Sequence, residues 1–406
     1  MGPYNIVYRT EKLMSSYLTI EKIYSRYTHG AILSFILLFS FGSQCYPQTG
    51  NEPVFGKIPN KIAWFFEKLP GGSGTKVHCL LCPRSCVIAN RSMGFCGVRE
   101  NKNGILHTLA YGNPCAVHVD PIEKKPFFHY LPGTMSLSIA TAGCNMRCLN
   151  CQNWQIAQMC PTETNNFWFT PAQIALMAKN GGCATVAYTY TEPTVFFEYM
   201  YDCSSETKKV GIRNVMHSNG YINEKPLVEL CKVIDAANID LKAFDKKVYQ
   251  ELMHDANMEY VLNSLKIIKS HGVWLEITYL VIPTKNDDIP TITKMCEWIK
   301  NNLGNDVPLH LSRFQPQYQL TNLPPTPVET LDKAYVAAKK AGLRYVYVGN
   351  VPGHRGEDTY CHQCGKLVVD RYSYKIVKAY INKGRCVYCG TKIPGVWGTV
   401  INAQDE

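Results

Sequence analysis

Cysteine spacing constrains this chain more than any other feature. The 406 residues include eighteen cysteines, and eleven of these fall into three tight groups. The groups are Cys79, Cys82, Cys86 and Cys96; Cys144, Cys148 and Cys151; and Cys361, Cys364, Cys386 and Cys389. Cysteines can form disulfides or bind metal, and short, regular spacings of this kind favour metal ligands. The pattern predicts metal-binding modules in a reducing compartment, with the scattered cysteines as small buried apolar residues.

Composition sets the class of protein and its partners. With 46% apolar residues, a chain of this length can bury a large core, and we expect two or three domains. The formal charge of +10 would suggest nucleic acid or an acidic membrane surface as a partner. Thiolates bound to metal offset much of that charge, because the count treats every cysteine as neutral. We therefore expect no nucleic-acid partner.

The N-terminal region resembles a targeting segment. Residues 31–41 (AILSFILLFSF) form an apolar run of eleven residues that follows several basic side chains. Such a run resembles the core of a signal peptide and is too short to span a bilayer, which takes about 20 residues. Export or membrane attachment is one interpretation, and an extension upstream of the folded domains is the other. The cysteine usage favours a cytoplasmic location.

From residue 134 onward, apolar runs alternate with amphipathic stretches. Thr170 and Thr326 each begin a capping-box spacing that includes a proline, and Gly181 and Gly342 stand where helices should end. Strands that alternate with helices predict a parallel sheet with right-handed crossovers. Six or seven units are too few for an eight-fold barrel. The expected fold is α/β, an open partial (β/α)6 barrel with its site at the carboxyl ends of the strands.

The expected domains follow from these patterns. They are residues 1–75, an apolar targeting segment and linker; 76–133, a cysteine-rich module; 134–352, the partial barrel; and 353–406, a zinc-ribbon module.

The central cysteine loop, TAGCNMRCLNCQNW at 141–154, directly follows the first predicted barrel strand. Cys144, Cys148 and Cys151 can hold three irons of a [4Fe-4S] cluster and leave the fourth iron open, whereas an electron-transfer cluster normally has four protein ligands. Such a cluster would need a further cysteine, and the next one is Cys160. A structural zinc with a remote fourth ligand is the other alternative.

Nine short motifs, in this order along the chain, strengthen the interpretation of a [4Fe-4S] cluster with one open iron. They are CLLCPRSC with GFCGVREN (79–86, 94–101), DPIEKKPFFHYLPGT (120–134), CNMRCLNCQNW (144–154), YTEPT (190–194), SNGY (218–221), DLK (240–242), LVIPTKND (280–287), HLSRFQP (310–316) and YCHQCG with CVYCG (360–365, 386–390). Over about residues 76–400 the chain resembles the radical S-adenosylmethionine (SAM) enzyme of the AmmeMemoRadiSam system, which is related to glycyl-radical-enzyme (pyruvate formate-lyase) activating enzymes. The resemblance implies the radical SAM type of partial barrel.

The resemblance also implies which residues contact SAM. Glu192 takes the position that hydrogen-bonds the SAM amino group, and Asn219, Asp240 and Lys242 take positions that hold its methionine and ribose. His310 resembles a further contact residue. Non-catalytic alternatives stay open: a helix cap for Glu192, a turn carboxylate for Asp240 and a core histidine for His310.

The activity implied by the resemblance is reductive cleavage of SAM to a 5′-deoxyadenosyl radical, which abstracts hydrogen from an unknown substrate, by analogy with activases a protein. Implied partners are an electron donor such as a flavodoxin or ferredoxin, a protein substrate, and Memo-like and AMMECR-like proteins. One alternative is radical modification of a small metabolite or lipid. Another is a non-catalytic iron-sulfur or zinc protein that transfers electrons or binds a partner.

The two outer cysteine groups predict further metal sites. Cys361 and Cys364, followed by Cys386 and Cys389, have the spacing of a structural zinc ribbon, which we expect to pack on the barrel. The N-terminal group of Cys79, Cys82, Cys86 and Cys96 suits either zinc or a second iron-sulfur cluster. The sequence leaves that choice open.

Overall fold

The computed structural model describes residues 61–70 and 75–398. The apolar run at 31–41, for which a signal or an anchor is expected, lies outside these residues. Within the described part of the chain, no helix has both the length and the apolar character needed to cross a membrane.

Two small antiparallel sheets form the N-terminal cysteine-rich region. Their strands are β1 (Lys61–Ile62), β2 (Phe66–Lys68), β3 (Val77–Cys79), β4 (Val87–Ile88), β5 (Arg99–Lys102) and β6 (Ile105–Thr108). One sheet has the order β1-β6-β5 and the other β2-β3-β4. Val77, Ile88, Val98 and Leu106 are buried in the same apolar cluster as the residues of the large sheet. The region therefore shares the core of that sheet.

One eight-stranded sheet forms the centre of the fold. Its strands are β7 (Ala116–Pro121), β8 (Met135–Ala140), β9 (Thr185–Tyr188), β10 (Arg213–Ser218), β11 (Ala236–Asp240), β12 (Trp274–Val281), β13 (Leu309–Arg313) and β14 (Val346–Gly349). The strands lie side by side in chain order, and β8 to β14 are parallel. Strand β7 pairs antiparallel with β8 over all six of its residues. The sheet thus begins upstream of the boundary expected at residue 134.

Helices connect the parallel strands. They are α1 (Trp154–Ala157), α2 (Pro171–Asn180), α3 (Phe197–Lys209), α4 (Glu224–Cys231), α5 (Lys246–Leu252), α6 (Met258–Ser270), α7 (Ile289–Leu303) and α8 (Val328–Lys340). Six helical crossovers join the seven parallel strands, which agrees with the six or seven units expected. Strands β7 and β14 are its two edges, which leaves the sheet partly open.

The two predicted helix starts have different outcomes. Thr170 forms the expected capping box with Gln173 at the start of α2. The expectation for Thr326 is wrong, because α8 begins at Val328 and Thr326 makes no cap. The buried Thr326 hydroxyl instead donates to the Val281 carbonyl at 2.6 Å. The hydroxyl is used to join the end of β12 to the chain before α8.

A C-terminal module packs on the last strand of the sheet. Its strands are β15 (Thr359–Tyr360), β16 (Leu367–Tyr372), β17 (Lys375–Ala379), β18 (Ile381–Asn382) and β19 (Arg385–Cys386). A separate apolar cluster joins Val368 and Val369 of this module to Tyr345, Tyr347 and Phe128. This packing on the barrel agrees with the expectation for the ribbon.

Candidate functional site

The central cysteine loop leaves the carboxyl end of β8, where a parallel α/β sheet places its site. Gly143 in this loop has a φ of +98°, and a Cβ there would lie 2.5 Å from Val98 Cγ1 and 2.7 Å from the Cys96 carbonyl oxygen. Only glycine fits both the left-handed backbone and the close approach. The loop is therefore packed tightly against the N-terminal cysteine region.

The thiols of Cys144, Cys148 and Cys151 are half-buried and interact electrostatically with one another. Burial raises the pKa of Cys144 well above its ordinary value, and the charges of Glu192 and Cys148 raise it further. Burial raises the pKa of Cys148 to about 11, although the Lys242 ammonium opposes the shift. Metal ligation requires thiolates, so a cation must be bound for these groups to ionise together.

The distances between these sulfurs indicate what kind of metal group fits. Among the described residues, the one set of three or more ligand atoms that lie within 4.8 Å of one another is Cys361, Cys364, Cys386 and Cys389. At least one pair among Cys144, Cys148 and Cys151 is therefore farther apart. A single Zn²⁺, with Zn–S bonds of about 2.3 Å, needs sulfurs roughly 3.8 Å apart. The central donor set therefore lacks the compact arrangement that one Zn²⁺ needs.

Glu192, which follows β9, is a buried carboxylate with several donors around it. Its Oε1 accepts from the Ser218 hydroxyl at 2.7 Å and from the Thr194 amide, and its Oε2 accepts from the Asn219 amide at 2.8 Å. Burial raises the pKa of Glu192, and these hydrogen bonds oppose the shift. The contact with Thr194 caps the 3-10 turn Pro193–Phe196. Glu192 therefore also acts as a helix cap, which was the alternative to SAM binding.

Asn219 connects the cysteine loop to the end of β10. Its Nδ2 lies 3.8 Å from Cys144 Sγ and donates to Asn145 Oδ1 at 2.9 Å. Its Oδ1 accepts from the Tyr221 amide. The side chain thus contacts one of the thiols directly.

Asp240 and Lys242 lie at the end of β11. The Lys242 ammonium is 2.6 Å from Asp240 Oδ2, and His217 Nε2 is 2.9 Å from Asp240 Oδ1. Burial alone would raise the pKa of Asp240, but Lys242 and His217 hold it below its usual range. Lys242 also acts on Cys148. His217 was not among the site residues predicted from the sequence. Its place near the carboxyl end of β10, where site residues are expected, could have identified it.

A sequence profile described as the Radical SAM superfamily matches residues 138–296, which begin in β8 and end in α7. The "Uncharacterized protein MJ0808" of Methanocaldococcus jannaschii is 46% identical over 336 residues, or 82% of this chain and 98% of that protein. The chain belongs to the radical SAM superfamily. A radical SAM domain implies a [4Fe-4S] cluster and SAM, which agrees with the sequence-based expectation for both cofactors.

Two further comparisons are more distant. "GTP 3′,8-cyclase" of Limosilactobacillus fermentum is 23% identical over 265 residues, or 60% of this chain and 78% of that protein. The crystal structure of a domain of pyruvate-formate lyase-activating enzyme from Bacteroides vulgatus is similar over 41% of this chain and 99% of that chain, with 18% identity and a TM-score of 0.37. Neither identifies the substrate of this radical SAM protein, and its membership of the AmmeMemoRadiSam system stays a prediction.

His310 is the second residue of β13 and stands level with Asp240 in the sheet, because both residues pair with Thr278 of β12. It is buried, and its Nε2 lies 2.7 Å from Glu276 Oε2. Its ring stacks on Tyr347 and meets Phe128 edge-on. These contacts fit the core-histidine alternative, and the role of His310 as a SAM contact stays a prediction.

Lys125, Asp120 and Tyr190 form a second polar group beside the radical SAM site. Lys125 is buried, and its Nζ lies 2.7 Å from Asp120 Oδ2 and 4.0 Å from the centre of the Tyr190 ring. The Tyr190 hydroxyl donates to the same carboxylate. Burial lowers the pKa of Lys125 to about 8, although Asp120 opposes the shift. No pattern in the sequence pairs Asp120 with Tyr190.

Tyr190 and Trp154 make further contacts beside the cysteine loop. Tyr190 has a φ of +64°, a backbone region that favours glycine. Its carbonyl accepts from Asn153 Nδ2 of the cysteine loop at 2.6 Å. Trp154 stacks on Tyr318 with ring centres 5.3 Å apart. The left-handed turn at Tyr190 is thus bonded to the cysteine loop.

The C-terminal cysteines form a compact set. Cys361 and Cys389 have their sulfurs 3.7 Å apart, and those of Cys364 and Cys386 are 3.8 Å apart. These distances match the spacing of roughly 3.8 Å expected around one tetrahedral Zn²⁺. The set is consistent with a zinc ribbon.

The N-terminal cysteines are more widely spaced. All four line a single cavity, and no three of their sulfurs lie within 4.8 Å of one another. Burial raises the pKa of Cys82, of Cys86 and of Cys96, the last to about 11.

Proposed function

We propose that this protein cleaves SAM reductively at a cluster held by Cys144, Cys148 and Cys151 and uses the product radical to abstract hydrogen from a protein substrate. When bound, the [4Fe-4S] cluster and SAM supply a 5′-deoxyadenosyl radical through one-electron cleavage of a carbon–sulfur bond. The supporting observation is that the three half-buried thiols meet Glu192, Asn219, Asp240 and Lys242 at one edge of the sheet.

The surrounding side chains would orient SAM. Glu192 is a buried carboxylate whose three donors leave part of its accepting capacity for the SAM ammonium group. Lys242 offers a cation for the SAM carboxylate, and Asp240 can accept from ribose hydroxyls. Asn219 holds Cys144 in place through its contact with the thiol. Tyr190, through its bond to Asn153, fixes the approach of the β9 turn to the same loop.

The radical abstracts hydrogen from the molecule bound next to it. The substrate class therefore depends on which molecule can bind at the open side of the sheet. The resemblance to activases supports a protein substrate. It also supports a flavodoxin or ferredoxin as electron donor, and Memo-like and AMMECR-like proteins as partners. A cytoplasmic location is supported by the cysteine spacing, because the three close groups suit metal ligands, which a reducing compartment favours.

The deciding experiment is anaerobic reconstitution with iron, sulfide, reductant and SAM, followed by measurement of 5′-deoxyadenosine. Cys148→Ala should abolish the product, because two thiols cannot hold a stable site-differentiated cluster. Cys231→Ala is the matched control, since Cys231 ends α4 and belongs to none of the three groups. Absence of product from wild-type protein with a full cluster would refute enzymatic cleavage and favour the electron-transfer or binding alternative.

A small-molecule substrate is the second candidate, and the similarity to GTP 3′,8-cyclase favours it. The two candidates differ in where the radical goes. A glycine radical detected by electron paramagnetic resonance (EPR) on a co-expressed partner protein would support the activase-like function. Transfer of deuterium from a labelled metabolite or lipid into 5′-deoxyadenosine would support the alternative.

A further inference from the structure

The N-terminal cysteines surround a common space. Cys79 ends β3, Cys86 precedes β4, and Cys82 and Cys96 lie in the loops between the strands. The four residues line one common cavity. The Cys79 amide donates to the Cys86 carbonyl at 2.9 Å, and the Phe95 amide lies 3.5 Å from Cys86 Sγ. These backbone contacts form a knuckle that holds the thiols around the cavity.

The spacing of these sulfurs differs from that of the zinc-like set in the same molecule. The C-terminal sulfurs all lie within 4.8 Å of one another, whereas no three of the N-terminal sulfurs do, among the residues that the structure describes. One Zn²⁺ would require roughly 3.8 Å between sulfurs. The radical SAM cysteines likewise form no such compact set among the described residues. The N-terminal set therefore lacks the compact arrangement that one Zn²⁺ needs.

The cavity also contains a buried donor without a partner. Arg99 is 1% exposed and lines the cavity, and its Nε has no hydrogen-bond partner. Its two terminal nitrogens are used, one by Glu198 Oε1 at 2.6 Å and the other by the Trp64 carbonyl at 2.8 Å. Sulfur atoms of an iron-sulfur cluster accept hydrogen bonds, and a cluster with four thiolates carries net negative charge. Both properties complement a buried guanidinium.

The cavity adjoins the radical SAM site. Asn145, the residue after Cys144, lines the cavity, and its carbonyl accepts from Arg84 Nε at 2.9 Å. The Asn145 side chain accepts from Asn219, which contacts Cys144 Sγ. On the other side, the Cys96 carbonyl lies against Gly143. The residues on both sides of Cys144 therefore touch the N-terminal site.

We propose that Cys79, Cys82, Cys86 and Cys96 bind a second [4Fe-4S] cluster that passes single electrons to the radical SAM cluster. Four protein ligands leave it no open iron, which suits electron transfer. A one-electron donor of the flavodoxin or ferredoxin class reduces the second cluster from 2+ to 1+. The second cluster then returns to 2+ as the radical SAM cluster goes from 2+ to 1+, and no bond forms or breaks. Cluster binding is independent of the proposed function, whereas electron delivery rests on it.

A metal inventory of the full-length chain, purified anaerobically, tests the binding. We expect about eight irons, about eight sulfides and about one zinc per chain, because two cubanes and one ribbon are filled. About four irons with two zincs would overturn the proposal, since the N-terminal set would then hold zinc. About six irons would overturn the cubane in favour of a two-iron cluster.

A variant separates the two clusters. The triple variant with Cys144, Cys148 and Cys151 changed to alanine should keep about four irons and a dithionite-reduced EPR signal. Cys79→Ala with Cys96→Ala should lose half of the wild-type iron, while Cys115→Ala, at the start of β7 and outside the groups, should lose none. Loss of all iron in a triple variant with native circular dichroism would contradict the proposal. If that variant does not fold, the wild-type inventory decides.

Product stoichiometry tests the electron path. Fully reduced protein freed of reductant and mixed with SAM should form about two equivalents of 5′-deoxyadenosine per chain, because each cluster stores one electron and each radical takes a hydrogen atom from the buffer or the protein. The Cys79→Ala, Cys96→Ala variant should form about half as much. One equivalent from wild-type protein with both clusters intact would overturn the electron path. No product from the same protein would instead refute the proposed function.

Discussion

The central cysteine loop and the C-terminal module use the same residue type at similar short spacings, but the structure surrounds them differently. The C-terminal sulfurs sit 3.7 and 3.8 Å apart in pairs, and Cys364 and Cys389 are exposed. The central thiols form no such compact set among the described residues, and they are half-buried beside Lys242, Asp240 and Glu192. Sulfur spacing and the charged groups around it therefore distinguish the two cysteine groups.

The largest expected effects come from removing one thiol in each region. Cys148→Ala should abolish 5′-deoxyadenosine formation, whereas Cys389→Ala should keep turnover per intact cluster. Loss of the structural metal should cost Cys389→Ala on the order of 4 kcal/mol of unfolding free energy in its module. Product assays normalised to cluster content, combined with thermal unfolding, measure both. If folded Cys389→Ala protein lost as much turnover as Cys148→Ala, the two cysteine groups would not have the different roles proposed for them.

Acid should weaken the attachment of the C-terminal module. His129 is fully buried, its Nδ1–H donates to the Pro394 carbonyl at 2.6 Å, and burial lowers its pKa to about 4. The unfolded chain protonates this histidine near pH 6.5 and the folded chain does not, so unfolding free energy falls as pH drops from about 6.5 towards 4. The total loss should be about 3 kcal/mol, at about 1.4 kcal/mol per pH unit.

Denaturant unfolding across this pH window measures the effect. His129→Gln should unfold with a pH slope smaller by about 1.4 kcal/mol per unit, because one titrating proton is removed. The neighbouring Glu276, His310 and Arg371 remain in both proteins and serve as the common background. Identical slopes would show that the buried histidine does not couple the module to the barrel.

Replacement of the cation beside the central thiols should act on chemistry more than on stability. Lys242→Met removes the partner of Asp240 and the positive charge near Cys148, and we expect 5′-deoxyadenosine formation to slow by about tenfold, or about 1.4 kcal/mol. Lys124→Met is the control, because Lys124 is 44% exposed and pairs with Asp120. Similar rates for the two variants would mean that charge near the thiols is unimportant.

The smallest effect concerns the scaffold that follows the central loop. Thr170→Ala removes the capping box of α2 and should lower unfolding free energy by about 1 kcal/mol, with turnover unchanged. Chemical unfolding and the product assay at one temperature measure both quantities. A fall in turnover with this change would indicate that the site depends on overall stability. The central loop and the C-terminal module could then not be distinguished by their separate effects on turnover and stability.

Sequence patterns predicted the secondary-structure elements better than they predicted the tertiary contacts of individual residues. The alternation of strands and helices indicated the parallel sheet, and Thr170 indicated the start of α2. Thr326 has the same local pattern, but its hydroxyl is buried against β12, and no local signal reveals that contact. His310 was predicted from a motif, whereas its bond to Glu276 and its place level with Asp240 depend on strand register. Register is set by pairing between distant segments.

The sequence by itself determined the superfamily, the three cysteine groups and the type of fold, because spacing and periodicity are local properties of the chain. Only the tertiary structure decided which groups share a site. It placed His217 against Asp240, Asp120 against Tyr190, and the N-terminal cavity against the residues beside Cys144. It also separated wide from compact sulfur sets, since distances between residues far apart in the chain arise only when the core packs.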